Sequence, residues 1–74
     1  SMNIDLLQNI VVDRSKVASL LKDSKSKDVQ RLFGVKASQA ANLRRGERGV
    51  TADGLLRLLL LHQIRPDELA TIKK

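Results

Sequence analysis

SKDVQRLFGVKASQAANLRRG, residues 26–46, is the stretch whose reading decides the fold. Val29, Leu32 and Phe33 recur at i, i+3 and i+4, so a helix over about 27–33 buries one side and turns Lys27, Gln30 and Arg31 outward. Gly34 follows at once, the residue that best accepts the positive φ of a helix stop. Gly34→Val is therefore expected to break the turn. A second helix is read over about 37–45. At about 100° per residue, Ala40 and Leu43 share its packed side, while Ser38, Asn42 and Arg45 fall within about 60° of one another opposite.

Working toward the N-terminus, Asp13 is placed to cap a helix over 14–22 that turns Val17, Leu20 and Leu21 inward. Ser24 to Ser26 interrupt the pattern and offer capping hydroxyls to the next helix. Ile4, Leu6, Leu7 and Ile10 read as a short opening helix, although Ile10, Val11 and Val12 read equally well as extended chain. Toward the C-terminus, Gly46-Glu47-Arg48-Gly49 is a loop and Thr51 caps a helix over about 52–63. Leu55, Leu58 and Leu59 give that helix a core face, and Leu56 and Leu60 form a second apolar stripe one turn apart. A helix apolar nearly all round is deeply buried or shared with a partner. The stripe lies beneath the N-terminal Leu6, Leu7 and Ile10 or forms a subunit interface, and both hold if the first helix packs beside that interface. Pro66 with Asp67 and Glu68 opens a last short helix, turning Leu69 and Ile72 toward the body. The expected fold class is all-α, a compact bundle of about five short helices. Residues 1–12 form an N-terminal extension or short helix and residues 13–74 a single domain.

Bulk properties bound the function. A chain of 74 residues is near the lower limit for a self-sufficient core, and burying more apolar surface in an oligomer would strengthen it. Without cysteine it has neither a disulfide framework nor a thiolate metal site. The net charge of +6 favours a polyanionic partner, a solvated lysine-rich surface being the plain alternative. Residues 14–48 hold ten Lys or Arg against three acids, so the whole positive excess lies in the segment containing the opening stretch. The longest apolar run, Leu58 to Leu61, is far short of the roughly 20 residues a bilayer needs, and no signal peptide is read. Ser1 before Met2 reads as a cloning remnant. A soluble, cytoplasmic protein of bacterial or phage type is expected, with no membrane partner.

Two short helices joined at a glycine, with a polar edge on the second, have the layout of a helix-turn-helix, whose second helix enters a DNA major groove. Residues 26–69, about 44 of the 74, also resemble the lambda-repressor-like, Cro-type (Xre) helix-turn-helix domain. The pieces come in order: Val29 and Phe33, Gly34-Val35, Leu43, Arg45-Gly46, Leu55-Leu56-x-Leu58, and Ile64-x-Pro66-Asp67-Glu68-Leu69. The resemblance implies a five-helix bundle that binds DNA. The chain departs from the family pattern at several positions. Gln30 replaces a small alanine, Ser26 a glutamine, and Ala40 a branched aliphatic. Ala37 and Ala41 stand where longer polar side chains are usual; alanine can touch a thymine methyl but cannot bond a base edge. Leu60 stands where the family carries an exposed polar residue.

Ser38, Gln39 and Asn42 are the candidate base contacts, because Gln and Asn can pair bidentately with adenine; ordinary helix-surface polarity is the competing reading. Lys27, Lys36, Arg44, Arg45 and Arg48 are candidate phosphate contacts, with Arg45 alternatively bonding the carbonyls at its helix end. Leu56 and Leu60 are the candidate dimer or partner interface. A lone His62 makes a metal site improbable, and no cofactor is implied. No nucleophile, base and orienting group are arranged for catalysis, so an enzyme is not expected. The functional expectation is a small DNA-binding transcriptional regulator, a phage-type or Cro-like repressor acting as a homodimer on double-stranded operator DNA. The alternative is an antirepressor or antitoxin-like modulator that binds another helix-turn-helix protein or a toxin.

Overall fold

The computed structural model describes residues 3–73. Its elements in chain order are α1 (Ile4–Leu7), β1 (Ile10–Val12), α2 (Arg14–Leu21), α3 (Ser26–Phe33), α4 (Ala37–Arg44), α5 (Ala52–His62), a 3₁₀ turn (Pro66–Leu69) and β2 (Ala70–Ile72). Five short helices thus dominate, as expected. No helix among the described residues is long and apolar enough to cross a membrane.

The core is small and almost wholly aliphatic. Val17 and Leu21 of α2, Val29 and Phe33 of α3, Ala40 and Leu43 of α4, Leu58 of α5 and Leu69 beyond it are buried together. Leu20, Leu32, Leu55 and Leu59 pack half-buried around them. Each helix from α2 to α5 thus supplies the face its 3.6-residue period assigns, while α1 buries no residue.

One core contact is invisible to periodicity. Gly54 lies in the first turn of α5, directly against Phe33. A Cβ on residue 54 would stand 2.1 Å from the ring's Cδ1 and 2.9 Å from the Thr51 hydroxyl. The only aromatic side chain of the protein is accommodated because this helical position has no side chain.

The ends of the helices follow their chemistry. The Asp13 carboxylate caps α2, accepting from the Ser15 and Lys16 amides at 2.9 and 3.2 Å and from the Ser15 hydroxyl at 2.6 Å. The hydroxyl bond first, and then the amide bonds, hold its pKa below the usual 3.8. Thr51 caps α5 by accepting from the Gly54 amide at 3.1 Å. Gly34 and Gly46 take left-handed φ values of 66° and 72° where α3 and α4 stop. Gln63 does the same at 54° after α5, without glycine's freedom.

Three expectations are corrected. Ser24 to Ser26 do not cap α3. The helix begins one residue earlier, Lys25 occupies the cap without a side-chain bond, and Ser26 Oγ instead accepts from Gln30 Nε2 at 3.1 Å. The final helix is a single 3₁₀ turn followed by β2, because the chain after Leu69 is drawn into antiparallel pairing with β1. Ile10 pairs with Ile72, Val11 with Thr71 and Val12 with Ala70. Leu69 therefore faces the body as expected, but Ile72 is 67% exposed on the ribbon. The extended reading of residues 10–12 is the correct one. Finally, Leu56 and Leu60 do not lie beneath the N-terminal segment, since they are 56% and 69% exposed and Leu6 and Leu7 are exposed too.

Two measurements test this account. Gly54→Ala is expected to lower the urea midpoint with an unchanged slope, by about 1–3 kcal/mol, because a methyl group must displace the ring. The Asp13 cap should stabilise the fold fully above the usual aspartate range and be lost as pH falls through its lowered folded-state pKa. Asp13→Asn should therefore flatten the acid limb of a thermal-melt pH profile.

Candidate nucleic-acid interface

The site is assembled around α4. With Ala40 and Leu43 buried against the body, the outward arc consists of Ala37, Ser38, Ala41, Asn42, Arg44 and Arg45. Alpha4 packs on both α2 and α3. The turn at Gly34 fixes its entry: the Val35 amide donates to the Gln30 carbonyl at 3.0 Å, closing the α3 end. At the other end the Glu47 amide donates to the Asn42 carbonyl at 2.9 Å around Gly46. A Cβ on Gly46 would lie 3.3 Å from the Arg14 carbonyl oxygen, so the loop after α4 rests on the start of α2.

The candidate base contacts divide. Ser38 is exposed on the outward arc. Gln39 is half-buried, and its Oε1 accepts from the Lys36 backbone amide at 3.1 Å, so this side chain caps the first turn of α4. Asn42 is half-buried beside Arg45, whose Nη2 donates to Asn42 Oδ1. The Asn42 carbonyl oxygen is thereby engaged while its amide group retains donors. Bidentate pairing to adenine requires both ends of the amide, so Arg45 has to release Asn42 first.

The cations divide as well. Arg45 also donates through Nε to Glu47 Oε2 at 3.3 Å, forming an exposed pair in which the acid offsets part of its charge. It bonds side chains here, not the terminal carbonyls of its own helix. Arg44 Nη2 reaches the Lys22 carbonyl at the end of α2, 3.3 Å away. Lys27 is exposed in the first turn of α3 and Lys36 is exposed at the cap of α4, while Arg48 is half-buried in the loop. A shallow hollow of about 280 Å³ lies between Lys22, Ala41, Arg44 and Arg45. Lys22 and Arg14 were not singled out in the sequence. Nothing local marks them, since each reaches the α4 region only through the packing of α2.

Among the described residues no three His, Asp or Glu side chains come together as a metal site. His62 is exposed at the end of α5. What the α4 surface can offer a ligand is donors, namely two guanidiniums, an amide, a hydroxyl and an ammonium, around a floor of two alanine methyl groups. Comparison with protein-family models, curated proteins and solved structures returns no match.

The split between capping and exposed side chains can be measured. Gln39→Ala is expected to lower stability by about 0.5–1.5 kcal/mol in urea unfolding, the worth of one hydrogen bond. Ser38→Ala, on the solvent side, should stay within about 0.5 kcal/mol of the parent.

Proposed function

We propose that this protein is a DNA-binding transcriptional regulator of the lambda-repressor-like type, in which α3 and α4 act as a helix-turn-helix and α4 enters the major groove. The observation that carries the reading is the outward arc of α4, a polar edge flanked by cations on a helix whose opposite side is locked into the core. Ser38 and Asn42 face base edges. Lys27, Lys36, Arg44, Arg45 and Arg48 meet phosphates, which position a protein without specifying sequence. Gln39 acts through the cap it forms, not as a reader. Ala37 and Ala41 allow close approach and offer contacts to thymine methyl groups only, so discrimination rests on few hydrogen bonds. A homodimer would set two α4 helices in successive major grooves, with half-sites about one helical turn, or ~34 Å, apart, and repress by occluding a promoter. The role is one of binding, not catalysis, in the cytoplasm of a bacterial or phage-infected cell.

Exposed Leu56, Leu60 and Leu61 on α5 favour a second reading, in which the same fold modulates another helix-turn-helix protein or a toxin by apolar contact.

Gel-shift titration against the DNA upstream of its own gene, at two salt concentrations, tests the first reading. Binding is expected to weaken steeply with salt. Arg44→Ala should lower affinity for all sequences alike and reduce the logarithmic salt slope by about 1. Asn42→Ala should relax preference at one position, by roughly 1–3 kcal/mol. Absence of binding at low salt overturns the reading.

A further inference from the structure

We infer that the face formed by α1, β1 and the 3₁₀ turn is a self-association surface, and that a second copy of this chain occupies it by a two-fold contact. A groove of about 580 Å³ runs along this face, lined by Leu7, Ile10, Val11, Leu55, Pro66 and Leu69. Its one charged lining residue, Asp67, is already paired with Arg65 at 2.9 Å. Beside the groove, Ile4 is 75% exposed on the α1 face it shares with Leu7. A monomer leaves both the apolar hollow and the apolar projection in water.

The charge pattern selects the occupant. Residues 3–13 contain no Lys or Arg and two acids, Asp5 and Asp13, in a chain of net charge +6. Nucleic acid and anionic membrane surfaces are disfavoured here, because both are recognised through cations. Two copies of a strongly basic chain repel each other least where the lining holds no cation, as in this groove, whose neighbours Lys16 and Arg65 already bond the Ala70 carbonyl and Asp67 of their own chain. A hollow and a projection side by side on one patch are self-complementary: a two-fold axis seats each copy's Ile4 against the other's groove and closes the assembly at two. A stable contact takes about 800 Å² per partner out of the 5591 Å² the chain exposes, and all nine residues from Asn3 to Val11 are exposed and open to cover.

The seam of the proposed dimer then lies on this face and not on the Leu56 and Leu60 stripe. Leu56 and Leu60 do not line the groove, and Leu60 lies toward the far end of α5. The association does not depend on DNA binding, because the test is carried out without nucleic acid.

Sedimentation velocity of the whole chain at micromolar concentration should give twice the 8.2 kDa chain mass. Ile4→Asp should give a monomer and Leu60→Asp a dimer, with circular dichroism reporting the helix content of each. Because the chain has no cysteine, Ile4→Cys supplies a clean second readout and should oxidise to a disulfide-linked dimer faster than Leu60→Cys. A monomeric parent protein overturns the inference. So does an assembly that Leu60→Asp dissociates and Ile4→Asp leaves intact.

Discussion

The ring of Phe33 occupies the space that a side chain at residue 54 would require, and the architecture hangs on that exclusion. With no second aromatic and no cross-link, the protein must draw its stability from close approach of short helices. The bare first turn of α5 lets α3 come close enough to bury the ring, and the same ring ends α3. Gly34 follows immediately, so the direction of α4 is set by how Phe33 is seated. The surface proposed to meet DNA is therefore positioned from behind, by a contact that carries no charge and faces no ligand.

The helices α2 to α5 are legible in the sequence for a reason specific to each. Val29 and Phe33, Ala40 and Leu43, and Val17 and Leu21 repeat at helical spacing, while Asp13, Thr51 and Gly34 mark ends with groups that satisfy orphan backbone atoms. The terminal ribbon was less legible. Three residues cannot establish a period of two, and the partner strand lies at the far end of the chain, where Pro66 and two acids signal a helix. Leu56 and Leu60 show a different limit. Periodicity reports which residues share a face, not whether another element is long enough to cover it, and α1 has only four residues.

The candidate site shows the same division between local and tertiary information. That Ser38, Asn42 and Arg45 share an edge follows from helix geometry alone. That Gln39 is occupied by its own cap could have been found by asking which side chain satisfies the first amide of a helix that lacks a Ser, Thr, Asp or Asn cap residue. Lys22 and Arg14 could not have been found in this way. They belong to the region through the docking of α2, which brings the Lys22 carbonyl to Arg44 and the Arg14 carbonyl to Gly46. Cations and donors gather around α4, while the groove beside the paired ends of the described chain is apolar but for Asp67.

The ribbon between those ends has a mechanical consequence. Beta1 enters and β2 leaves at the same side, so a load applied through the two termini pulls the strands apart crosswise instead of sliding them along their length. Each backbone bond then bears the force in turn, beginning with the Lys73 amide to Asn9 carbonyl link and ending at the Asp13 amide to Leu69 carbonyl link. Such a zipper yields at low force before α2 to α5 bear the load, which makes the ribbon a weak clasp on a sturdier body.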